Sequence, residues 1–218
     1  MLNLKGLCSW TAMSFALLAS PALAHPHVFV GGGVDFVIRD GAVLDALNVT
    51  WIHDEFETLY ILSSLGLSLN AEGELDERDR RQLVEQKSNW PEDFDGSAHL
   101  SQAKKNLALE WPENLNAHMV DGRLALTFTR RLSVPIDLRE QEASVAFYEA
   151  TYFFAFSITQ TPKLLGDVGT CEAKVIPLEQ TADSSALQNV LAKLGREETP
   201  QIANVGEKFA DRITLACH

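Results

Sequence analysis

In this chain of 218 residues, the pair with the clearest chemical spacing is His25-Pro26-His27. Side chains two apart on an extended backbone leave the same face, so both imidazoles can converge on one cation. Pro26 fixes the local backbone and has no N–H. That excludes the amide-deprotonated chelate which N-terminal tripeptides otherwise offer copper or nickel. The residues before the pair make it more pointed. Lys5 is the only charge before position 25, an apolar stretch runs from Leu7 to Ala19, Pro21 breaks it, and Ala22-Leu23-Ala24 supplies small residues at the cleavage positions. Residues 1–24 are therefore predicted to be a secretory signal peptide cut between Ala24 and His25. His25 would then lead the mature chain, and its free α-amine, with a pKa of about 8, would chelate together with its ring. Two or three nitrogens plus a carboxylate suit zinc, nickel, cobalt or copper better than calcium or magnesium. The plain alternatives are a frayed, solvated terminus and a leader retained as an anchor. The apolar run is short of the roughly 20 residues that a bilayer needs.

The elements around the pair must bring a carboxylate to it. Val28 to Ile38 alternates, Asp40-Gly41 reads as a two-residue turn, and Val43 to Ile52 returns as the second strand of a hairpin. Pairing Arg39 with Ala42 sets Val30 opposite Trp51, Val34 opposite Leu47 and Ile38 opposite Val43 on one apolar face. The same register places His27 opposite Asp54, which makes Asp54 the expected oxygen ligand, with His53 and Glu55 as its neighbours. A bulge at Gly31-Gly32-Gly33 would move that register by one. Asp54 also has an ordinary task, because Asp54-Glu55-Phe56-Glu57 reads as a capping box opening a helix that runs to Gly66. His53 falls on the apolar face and reads as a buried, hydrogen-bonded histidine. His118 is expected to point into solvent, and His99 fits no pattern.

A second helix is predicted from Glu77 to Lys87, which makes a helix–loop–helix insertion over about 54–89. Its loop, Ser68 to Asp79, aligns with a calcium-binding EF loop, with Gly73 at the sharp turn and Leu75 at the apolar eighth position. Ser68 in place of the first Asp, and Asp79 in place of the bidentate terminal Glu, make it a degenerate copy not expected to hold calcium. Beyond Gly96 strands return. Leu115 to Met119 and Leu124 to Phe128 flank an Asp121-Gly122 turn, and Ser144 to Tyr148 and Tyr152 to Ile158 read as aromatic-rich buried strands. Short helices near 184–194 and 201–209 precede a last strand, Arg212 to Cys217. The fold class expected is α+β: an antiparallel, sandwich-like sheet core with the inserted helix–loop–helix and short C-terminal helices, in one domain over 25–218.

Of three cysteines, Cys8 lies in the leader. Cys171 and Cys217 each share a face with apolar residues, so an inter-strand disulfide is expected in an oxidising compartment. A thiolate metal site with His218 is the alternative. The net charge of −12, with 18 basic against 30 acidic residues, leaves no basic surplus for phosphates and argues against nucleic acid as a partner. Loss of Lys5 with the leader makes the charge one unit more negative. No protease, hydrolase, phosphate-loop or dinucleotide motif is present, so the chain is not expected to be an enzyme. A copper oxidase would need a further His beside the first.

Several of these pieces together resemble the domain-of-unknown-function 1007 family: His25-Pro26-His27-Val28-Phe29-Val30, Trp51 with Asp54-Glu55-Phe56, the degenerate EF-like loop, Tyr148-x-x-Thr151-Tyr152-Phe153, and the Cys171/Cys217 pair. The resemblance implies a periplasmic component of an uncharacterised ABC-type transport system, associated with nickel/cobalt-type permeases. Where such proteins carry Tyr-Asp-Pro-Thr-Tyr, this chain has Tyr148-Glu149-Ala150-Thr151-Tyr152, so Glu149 is a second candidate oxygen ligand. The expectation is thus a periplasmic transition-metal-binding protein with His25, His27, Asp54 and Glu149 as ligands. Its partner would be an inner-membrane metal permease or ABC transporter, and no membrane anchor would remain after cleavage. The competing expectation is a non-metal accessory or interaction domain of a permease.

Overall fold

Strands β1 (Val28–Arg39) and β2 (Val43–His53) form the long hairpin that the alternation predicts, but not in the expected register. The computed structural model describes residues 25–90, 94, 96–195 and 198–218, so the predicted leader lies outside it. The turn bond from Ala42 N–H to Arg39 O is made, at 3.2 Å. Yet the first ladder pair is Arg39–Val43, because Ala42 turns its carbonyl to Leu138 N–H. A bulge then falls at Asp45, which is skipped between the pairs Ile38–Leu44 and Val37–Ala46. Two single-residue shifts restore the alternation, so the same face of β1 stays apolar while its partners slide by two. Val30 faces His53 rather than Trp51, and Val34 faces Val49 rather than Leu47. The glycine triplet carries no bulge. Gly32 instead permits close approach: a Cβ there would lie 1.9 Å from the Thr50 carbonyl oxygen.

The remaining strands are β3 (Ala98–Gln102), β4 (Lys105–Asn106), β5 (Glu113–Val120), β6 (Arg123–Asp137), β7 (Ala143–Phe147), β8 (Phe154–Ile158), β9 (Leu164–Gly166), β10 (Cys171–Ile176) and β11 (Asp211–Cys217). One sheet has the order β5-β6-β2-β1-β8, with β9 also on β1; the other runs β10-β11-β7-β3-β4. The fold is mixed α and β in two sheets, mostly strand. One expectation needs correction: the first sheet is not wholly antiparallel, because β8 and β9 both pair with β1 in parallel. A tight hairpin can only return a strand antiparallel. The chain reaches β8 after an excursion through the second sheet, which frees it to enter from the other direction.

Both sheets contribute to one apolar cluster: Val28, Val30, Val34, Phe36 and Leu47 from the first, and Leu100, Val145, Phe147, Ile213 and Leu215 from the second. Helices α1 (Glu55–Ser64) and α2 (Glu77–Lys87) close a second cluster over the β5–β6 end, where Ile61, Leu62 and Leu83 meet Ala117, Met119, Leu124 and Leu126. Trp51 borders both clusters, and its ring lies 5.3–6.2 Å from those of Phe128, Phe156, Phe94 and Trp90. The loop between the helices is fastened by its own polar groups. Asn70 Oδ1 accepts from Glu72 and Glu74 N–H, Asp79 Oδ2 accepts from Ser68 N–H, and Glu74 Oε2 accepts from Met119 N–H of β5. Gly73 takes the left-handed turn conformation, φ 80°.

Cys171 and Cys217 are paired across β10 and β11 and form the disulfide, which removes the thiolate site with His218. Between them lie α3 (Ala182–Leu191), opened by a Thr181/Ser184 capping box, and a 3-10 helix (Val205–Phe209). The predicted helix over 201–209 is thus only its second half. Among the described residues no helix is long and apolar enough to cross a membrane.

Candidate metal centre

The His-Pro-His segment is pinned to the chain that leads into β8. His27 N–H donates to Phe153 O at 2.9 Å, just before Val28 begins its ladder with Phe154. The His25–Pro26 peptide is cis. The two imidazoles converge, with ring centres 4.6 Å apart, against the Phe153 ring, which lies 4.9 Å from His27 and 6.1 Å from His25. Two imidazoles on one tetrahedral ion, each at a metal–nitrogen distance of about 2 Å, have ring centres roughly 5 Å apart. The observed spacing therefore suits a shared ion. His25 is buried, 3% exposed, and its Nδ1 has no hydrogen-bond partner. A bare nitrogen in that setting is costly unless something satisfies it.

Glu149 reaches the same place through Phe153. Its Oε1 accepts from Thr151 N–H at 2.8 Å, and its Oε2 accepts from the Thr151 hydroxyl and from Phe153 N–H, both at 2.9 Å. The carboxylate thus sets the turn that presents Phe153 to the histidines. The C-terminal segment holds this turn from behind. Tyr152 sits at φ 61° with its ring stacked on Phe209 at 4.2 Å, and its hydroxyl accepts from Gln188. Burial raises the Tyr152 pKa above its usual value, so the hydroxyl keeps its proton at neutral pH. Tyr148 accepts from Asn204 Nδ2, and Gly206 lets the 3-10 helix approach so closely that a Cβ would lie 1.8 Å from Glu149 O. Sequence reasoning singled out Glu149 but missed Phe153 as the wall that both rings share. The aromatic density of 147–156 was the available signal.

Asp54 is placed differently from the expectation. The two-residue slide of the hairpin sets it beside Phe29 instead of His27: its N–H donates to Phe29 O and its Oδ2 accepts from Phe29 N–H, both at 3.0 Å. Its Oδ1 caps α1 by accepting from Glu57 N–H at 2.8 Å. The structure thus unites His25, His27 and the Glu149 turn around Phe153, and leaves Asp54 two residues farther along β1. Among the described residues, no three His, Cys, Asp or Glu side chains form a ready-made cluster.

His53 is buried as expected, 4% exposed, but neither ring nitrogen has a hydrogen-bond partner. Burial, with Lys87 adding repulsion and Asp54 opposing it, lowers its pKa from 6.5 to about 4. The unfolded chain then binds the extra proton between those values, so stability falls as pH drops through that window and is unaffected above it. We predict that this group alone removes about 3 kcal/mol of stability between pH 7 and pH 4. His53→Leu should flatten that part of the pH dependence, as read by urea unfolding across the range. Equal slopes in both proteins would exclude His53 as its source. His99 stacks on Tyr148 at 3.8 Å in β3, and His118 has a buried, unpartnered Nδ1 rather than a fully solvated ring.

The model of a family described as "Protein of unknown function (DUF1007)" matches residues 10–217 of the chain. No curated protein matches it.

Proposed function

Because the chain belongs to the DUF1007 family, whose description assigns no activity, we propose from its own residues that it binds a transition-metal ion at the processed N-terminus. The α-amine and ring of His25 and the ring of His27 are the nitrogen ligands. Glu149 and Asp54 supply oxygen donors: Glu149 Oε1 and the two Asp54 oxygens each accept one N–H and keep a second lone pair, whereas Glu149 Oε2 already accepts two hydrogen bonds. Those N–H groups act as the outer contacts that hold ligand carboxylates in one orientation. Zinc, nickel, cobalt and copper all suit this donor set. The observation that carries the proposal is the 4.6 Å approach of the two imidazoles.

In this account residues 1–24 direct secretion and are removed. The mature domain, a sandwich-like body with a degenerate EF-like insertion, works in the periplasm. There it delivers or receives the ion for an inner-membrane permease or ABC transporter, without catalysing a reaction. One comparison tests the ligand set. Zinc, nickel and copper affinities are measured by competition with a chromophoric chelator, for the correctly cleaved protein and for a form carrying one extra N-terminal Met. The extra residue moves the α-amine away from the His25 ring, and affinity should fall by at least about tenfold. Equal, weak binding by both forms would sink the terminal site.

A further inference from the structure

Helix α1 has two apolar faces, and only one of them is used inside the fold. Thr58, Ile61 and Leu62 are buried against the β5–β6 end of the first sheet. Phe56, Leu59 and Tyr60, at the i, i+3, i+4 spacing of a second face, are 85%, 65% and 61% exposed. Aromatic residues clustered on a surface are typical anchors of protein interfaces. We propose that this face of α1 is a docking site for a partner protein, which engages it with an apolar, Lys- or Arg-bearing helical segment.

Charge and area select that occupant. Helix α1 carries Glu55 and Glu57 in its first turn and no basic residue in its last. The whole chain is at −12, so the complementary surface is cationic and a second copy is repelled. The three side chains offer on the order of 400 Å² of accessible surface. That is half of the roughly 800 Å² per partner in a standard stable interface, too little for a self-dimer and suited to one helix laid along the face. The site does not depend on metal binding, because it uses none of the residues around His25 and His27.

The test uses two short amphipathic helical peptides with the same leucine face, one with lysine and one with glutamate on its polar side. Binding to the full mature protein is followed by fluorescence anisotropy. The triple variant Phe56→Ser, Leu59→Ser, Tyr60→Ser is compared with it, and circular dichroism checks that the fold is kept. The lysine peptide should bind the native protein at least about tenfold more tightly than it binds the variant, and at least about tenfold more tightly than the glutamate peptide does. Equal binding of the lysine peptide to the variant would reduce the attraction to net charge and overturn the docking site. So would equal binding of both peptides, or no binding at all. A concentration-dependent dimer abolished by the triple variant would replace the partner with a second copy. Adsorption to phosphatidylcholine vesicles abolished by that variant would replace it with a membrane surface.

Discussion

Removing the disulfide, by Cys171→Ala with Cys217→Ala, is expected to lower the unfolding free energy by roughly 3–4 kcal/mol. The two cysteines are 46 residues apart in sequence and directly opposite in the β10–β11 ladder. The bond therefore closes a long loop that contains α3 and the 3-10 helix. Its entropic effect acts on the unfolded chain, and its structural effect falls on a segment with a defined task. That segment supplies Gln188, Gly206 and Phe209, which hold the Tyr152 turn. Equilibrium urea unfolding of the oxidised protein and of the double-alanine variant checks the magnitude. A difference below about 1 kcal/mol would show that the unfolded chain is already restrained in this region. Reduction should therefore also loosen this segment's hold on Tyr152, and with it Phe153 against the two histidines.

The second large effect concerns the metal itself. His25→Ala together with His27→Ala leaves the proposed site with the α-amine and carboxylates alone, and affinity for zinc, nickel and copper should drop by at least about a hundredfold. The fold should survive, because His25 and His27 precede β1 and lie outside its ladder with β2. The main-chain bond from residue 27 to Phe153 O is also untouched by side-chain truncation. Unchanged affinity in the double variant would move the binding elsewhere on the chain. Glu149→Gln distinguishes a ligand from a scaffold. It removes the charge and one of the two acceptors, since Thr151 N–H uses Oε1 and Phe153 N–H uses Oε2, so stability should fall with affinity; unchanged affinity in the folded variant would exclude Glu149 as an oxygen donor.

Much of the architecture was legible in the residues. The period of two in Val28–Ile38, the Asp54 cap and the apolar settings of Cys171 and Cys217 each act locally, and each appears where its local chemistry put it. The register of the first hairpin was not legible, because two distant events decide it: Leu138 drawing on the Ala42 carbonyl, and Asp45 leaving the ladder. Asp45 accepts from Arg39 and Arg131, on β1 and β6. Neither can be seen from the hairpin's own pattern, and together they carried Asp54 past His27 to Phe29. The parallel pairing of β8 with β1 was hidden for a similar reason, since the alternation of a strand says nothing of its direction. The role of Phe153 beside the histidines was not legible, because it depends on which backbone atom His27 donates to, a fact of topology and not of composition.

If the His25 and His27 side chains hold one ion between them, titrating the cleaved, 15N-histidine-labelled protein with zinc should show it in the imidazole nitrogens by NMR. The His25 and His27 ring nitrogens should shift together and saturate at one equivalent, while those of His53, His99, His118 and His218 stay in place. Saturation at other histidines, or shifts that never saturate, would contradict the shared site.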